Sequence, residues 1–100
     1  MWLAGPAWAQ TVTVRNFPAN ALRGTLVVQQ PPEVLLNGKT DRLSPGARIR
    51  DTHNMLVMSG TLIDQLLTVN YVRESAGMIH EVWILTEAEA AEKRAKANPQ

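Results

Sequence analysis

The sequence contains no cysteine, which removes disulfides, thiolate nucleophiles and thiolate metal ligands together. An excess of one charge is missing too. Ten Lys and Arg against nine Asp and Glu leave a formal charge of +1, too little to neutralise the phosphates that a dedicated nucleic-acid binder contacts. Aromatic residues make up only 5% of the chain, so stacking platforms are scarce. No apolar run approaches the roughly 20 residues that a membrane-spanning helix needs. What is present is ordinary folded-domain composition: 100 residues, 45% hydrophobic and 19% charged, too short for a two-domain enzyme. Without a covalent staple, such a chain is held by core packing or by self-association.

The first residues, Met1 to Gln10, read MWLAGPAWAQ. They resemble the end of an export signal, in which an apolar stretch closes on an Ala-x-Ala site; Ala7-Trp8-Ala9 fits, because the peptidase accepts small side chains there. No Lys or Arg precedes the run, so the match is to the later part of a signal only. Residues 1–9 are therefore set apart as a signal remnant or disordered leader, 10–85 as the folded domain, and 86–100 as a helix and tail. The expected location is periplasmic or secreted, with the cytoplasm as the alternative.

From Thr11 onward, short apolar runs alternate with turn residues at close spacing, the pattern of a mainly β domain. Thr11-Val12-Thr13-Val14-Arg15 alternates with period two and predicts a half-buried first strand. Asn16 to Gly24 breaks the alternation, with Phe17 and Leu22 as its pins to the core. Thr25 to Gln29 reads as a strand stopped by Pro31-Pro32, which cannot donate to a ladder. Asn37-Gly38 predicts a type I′ hairpin, because both central positions need positive φ. Ser44-Pro45-Gly46 reads as a type II turn, with Ala47 to Arg50 as a separate strand beyond it. Met55 to Met58 is short enough for a strand buried on both faces, while residues 61–66 fit strand, helix or loop. Leu67 to Val72 and Met78 to Leu85 form the best hairpin, joined by a loop ending in Gly77. Thr86-Glu87-Ala88-Glu89 is a capping box and starts a helix, acidic early and basic late, whose thin alanine face predicts a solvated tail. The expected architecture is a small SH3-like or OB-like barrel of five to seven short antiparallel strands with a short C-terminal α-helix.

The chemistry-bearing residues are sparse. His53 and His80 lack the spacing that would put two imidazoles on one metal, so no cofactor and no metal is expected. Ser44, Ser59 and Ser75 all sit in turn-like surroundings without a nucleophile motif, which leaves a hydrolase built on Ser59 and His80 as a minor alternative. Lys39, Arg42, Arg48 and Arg50 would lie on neighbouring solvent faces of two strands, a modest basic patch for an anionic polymer or single-stranded nucleic acid. Trp83 falls on the face opposite Val82 and Ile84, so a ring exposed beside Leu85, with Tyr71 nearby, would invite burial by the C-terminal helix or by a second subunit.

The stretches Val34 to Gly38, Leu43 to Arg50, Leu67 to Tyr71 and Val82 to Leu85 resemble a group of short exported bacterial proteins of uncharacterised role. That resemblance implies export and a compact β domain and transfers no catalytic or ligand motif. The expected function is a non-enzymatic exported module that binds a protein or itself.

Overall fold

A computed structural model of the chain describes residues 15–92. Six strands follow in order: β1 (Leu22–Gln30), β2 (Glu33–Leu36), β3 (Lys39–Arg50), β4 (Leu56–Val57), β5 (Leu66–Arg73) and β6 (Ile79–Ile84). A 3₁₀ turn, Ser59–Leu62, links β4 to β5, and a single helix, α1 (Glu87–Ala91), follows β6. The local signals explain most of this. Asn37 and Gly38 adopt φ of 55° and 80°, the left-handed pair that a type I′ turn requires, and join β2 to β3 in antiparallel register. Asn37 then ties this tip to β1, its backbone N–H donating to Thr25 O at 2.8 Å and its Oδ1 accepting from Thr25 N at 2.9 Å. Beneath it lies Gly24, where a Cβ would come within 3.1 Å of the Asn37, Leu36 and Tyr71 side chains, so any larger residue would push these three apart by a few tenths of an ångström. Gly77, at φ 98°, closes the β5–β6 hairpin.

The strands form a six-stranded mixed sheet in the order β2-β1-β5-β6-β3-β4, with β2 also pairing with the start of β3. This corrects the expected SH3-like or OB-like small barrel of short antiparallel strands. The reason lies at Ser44-Pro45-Gly46. Gly46 does not take the positive φ of a type II turn, and the chain stays extended through all twelve residues of β3. One chain reversal is therefore lost. With it goes the antiparallel arrangement, since the second half of β3 keeps its direction and meets β6 in parallel, Ile49 opposite Val82 and Arg50 opposite Trp83.

Other expectations also change. The strand over Met55 to Met58 shrinks to the two residues of β4, and instead of being buried on both faces it leaves Met55, Leu56 and Met58 exposed. Residues 61–66 contain the end of the 3₁₀ turn, a parallel bridge from Ile63 to Val28, and the first residue of β5. The strand read over Thr11 to Arg15 lies outside the described residues except for Arg15, which is not in a strand.

The sheet buries two clusters. The main core gathers Leu26, Val28, Val34, Val69, Tyr71 and Ile79, among others, on one side. On the other, Ala21, Trp83 and Leu85 pack with Phe17, Val72 and Ala90. The period-two alternation of β5 and β6 explains the split: Val69 and Tyr71 face the main core, as do Val82 and Ile84, while Trp83 faces the smaller cluster. Helix α1 begins with the predicted capping box, Glu89 N donating to Thr86 Oγ1 and Thr86 N to Glu89 Oε1. Its first turns are not a solvated tail. Arg23 donates to Ala90 O and Glu89 O at the helix end, and Arg15 holds the buried Glu89 carboxylate.

Candidate functional site

The most irregular point of the sheet is where β3 leaves β6. Leu43 is opposite Ile79 and Arg48 opposite Glu81, so five residue steps on β3 face two on β6. The surplus, Ser44 to Ala47, bows out as a bulge, a feature that concentrates beside binding and active sites because it re-aims side chains. His80 sits opposite the bulge. Its Nδ1 lies 2.9 Å from Ser44 Oγ, a side-chain hydrogen bond where the ladder is interrupted. Pro45 fits here because a bulge on an unpaired stretch asks for no N–H.

The same bulge opens a cleft of about 730 Å³. On one side stand Pro31 and Pro32 from the β1–β2 turn, and on the other Val57 of β4 with Met58 and Ser59, which follow it. Its floor is Leu43, Ala47 and Ile49 of β3, so the cleft leads down to the main core, and Met78 completes the wall. Polar groups are few: the Ser44 and Ser59 hydroxyls and the Arg42 guanidinium. Arg42 is paired with Glu33 at 2.7 Å, but both side chains are about half exposed, so the pair contributes little and exchanges readily. Apolar walls with a small number of placed polar groups are the usual build of a small-ligand site.

The residues singled out from sequence are distributed differently. Lys39 and Arg42 lie on the half of β3 that pairs with β2, and Arg48 and Arg50 on the half that pairs with β4 and β6. A reversal at Ser44-Pro45-Gly46 would have placed them side by side; the continuous strand lays them end to end, with the bulge between. Acids are interleaved with them. Glu33 meets Arg42, Glu81 is the register partner of Arg48, and Asp41 binds Arg73 through two contacts of 3.1 and 2.7 Å. Burial raises the Asp41 carboxyl, but the Arg73 guanidinium and the Arg42 N–H outweigh it and hold the group below the ordinary carboxylate value.

Tyr71, Trp83 and Leu85 are all buried within the chain, at 0%, 8% and 8% exposure. Phe17 covers Trp83 edge to face at 5.7 Å, so the ring that would have sought a second subunit is covered by the segment preceding β1. The sequence placed Trp83 on the correct face and named the C-terminal helix, whose Ala90 packs there, as one cover; it did not foresee Phe17.

The structure brings His80 to Ser44 rather than to Ser59. Among the described residues His80 has no carboxylate in hydrogen-bond reach, so the pair lacks the group that would orient the imidazole for nucleophilic catalysis. His53 belongs to a turn, where Asp51 Oδ1 accepts from His53 N at 2.8 Å and Met55 N at 3.0 Å. Among the described residues no cluster of three metal-ligating side chains occurs, and no helix is long and apolar enough to cross a membrane.

Sequence reasoning missed two features. One is the cleft, whose walls come from four separate segments. The other is Arg15, read as an outward strand residue, whose guanidinium makes two contacts with Glu89 at 2.7 and 2.9 Å and donates to Asp51 O and Ile84 O at 2.8 Å. Comparison with family models, curated proteins and solved structures finds no match.

Proposed function

We propose that this chain is a non-enzymatic, exported interaction module that binds a partner protein, or a second copy of itself, through the β4 edge of its sheet. The observation that carries the reading is the set of exposed apolar side chains there: Met55, Leu56 and Met58 are 64%, 61% and 76% exposed on four consecutive residues. β4 is the last strand in the sheet order and, among the described residues, pairs only with β3. A two-residue edge is too short to template a long ladder, so the side chains carry the contact, and methionine suits a surface that adapts to its partner. The Ala7-Trp8-Ala9 pattern, outside the described residues, supports export.

The test is a photo-crosslinking side chain introduced at Leu56, with Glu87 as an exposed control, in cells expressing the full chain. A discrete adduct at Leu56, to a partner or to a second copy, supports the reading. Crosslinking at Leu56 no stronger than at Glu87 overturns it.

A further inference from the structure

We propose that the cleft at the β3 bulge is a binding site for a linear aliphatic carboxylic acid, its alkyl chain in the cleft and its carboxylate on Arg42 and Ser44. The proposal goes beyond the β4 contact; the two share Met58, but decanoate titration and Arg42→Met read the cleft alone, whatever the crosslinking at Leu56 shows. The cleft's size, about 730 Å³, falls within the range of small-molecule sites. Its apolar wall includes two methionines, Met58 and Met78, unbranched side chains that shape themselves to a flexible chain. The bulge leaves the small Ala47 between Leu43 and Ile49 on the floor.

The chemistry of the head group follows from charge. Arg42 is the only charged side chain lining the cleft among the described residues, so an anion is the complementary end. Its present partner, Glu33, is a solvent-exposed carboxylate held by one 2.7 Å contact, which a ligand carboxylate replaces without leaving a buried charge unpaired. Arg42 and Ser44 both line the cleft, on either side of Leu43 in the chain. Ser44 is buried, and its hydroxyl already engages His80 Nδ1. With the proton on Nδ1, the imidazole donates to Ser44 Oγ, and the serine O–H is left to donate to the ligand oxygen. The bulge thus sets one charged and one neutral donor at the mouth of an apolar cleft.

The experiment titrates the purified full chain with ¹³C-labelled decanoate, below the concentration at which decanoate self-associates, and repeats it with decanol. The expected result is saturable binding of one decanoate per chain, at least about tenfold tighter than decanol because only the acid gains the charge-assisted bonds. Arg42→Met, an exposed substitution, should bring acid and alcohol to within about threefold of each other. Met58→Asp, also exposed, puts a negative charge on the lip and should weaken decanoate by more than about tenfold, again more than decanol. Equal affinity of the wild type for decanoate and decanol, decanoate binding unaffected by both variants, or no saturable binding would each overturn the proposal. So would displacement of decanoate by an uncharged apolar peptide amide at lower concentration than by octanoate, which would give the cleft to a peptide.

Discussion

Glu89→Gln is the substitution that most directly tests how this domain is held together. Arg15 and Glu89 are 74 residues apart in sequence, and their side chains retain only 10% and 9% exposure. Two short contacts join them, and Arg15 also serves the carbonyls of Asp51 and Ile84, so one guanidinium ties the segment before β1 to the end of β3, the end of β6 and helix α1. Breaking a buried pair by removing one charge costs about 3–5 kcal/mol. The glutamine keeps the shape, can still accept from Thr86 N, and retains one hydrogen bond from the charged Arg15 guanidinium worth about 1.5 kcal/mol, so the expected loss is about 2–3 kcal/mol. A domain of this size has on the order of 5–15 kcal/mol in all. In a urea titration, with a slope near 1.5 kcal/mol per molar, the midpoint should fall by about 1.3–2 M. The effect should also depend on pH. The Arg15 guanidinium holds the Glu89 carboxyl below its ordinary value, so the pair's contribution is fully present above the unfolded-state value, about 4.3, and is lost as pH falls through the folded one. Wild type and variant should therefore converge in acid. A midpoint within about 0.3 M of wild type at neutral pH would refute the clamp.

Three further outcomes follow from the backbone and the core. Gly24→Ala pushes a methyl to 3.1 Å from Asn37, Leu36 and Tyr71 and should cost about 1–3 kcal/mol, read as a drop of roughly 5–15 °C in thermal midpoint. Gly38→Val forces a β-branched residue to φ 80° with open space around it, so its cost, about 1–3 kcal/mol in chemical denaturation, is conformational, and Gly38→Asn should recover most of it. Among the described residues the buried Tyr71 hydroxyl makes no hydrogen bond of good geometry, the Arg73 guanidinium lying over the ring at 5.6 Å from its centroid, and burial pushes the phenol above its ordinary value. Tyr71→Phe should therefore leave stability unchanged to within about 0.5 kcal/mol or raise it, and a loss above about 1 kcal/mol would show that the hydroxyl is bonded after all.

Signals that act within a few residues were legible in the sequence. Asn37-Gly38 specifies its turn because few other dipeptides tolerate two positive φ values, and Thr86 to Glu89 starts a helix because its hydroxyl and carboxylate satisfy orphan N–H groups three residues away. Alternation assigned Val82 and Trp83 to opposite faces for the same reason, since successive strand side chains point oppositely whatever surrounds them. Ser44-Pro45-Gly46 was not legible. Proline's fixed φ suits both a turn and an unpaired stretch of strand, and glycine accepts either, so the segment's conformation depends on what it meets.

That choice, made by tertiary contacts, decides the fold. A turn would have returned the chain antiparallel to β6 and aligned Lys39, Arg42, Arg48 and Arg50 on adjacent strands. The extended path runs parallel to β6, spreads those cations along one strand and leaves the bulge, with His80 filling the interrupted ladder. Two other features have the same origin. Arg15 finds Glu89, and Phe17 covers Trp83, across most of the chain. Composition and periodicity alone thus determined that a cysteine-free, near-neutral chain would bury alternating β faces. Which strands run together, what covers Trp83 and where the cleft opens were decided only when distant segments met, because those outcomes depend on pairings that no local φ, ψ preference encodes.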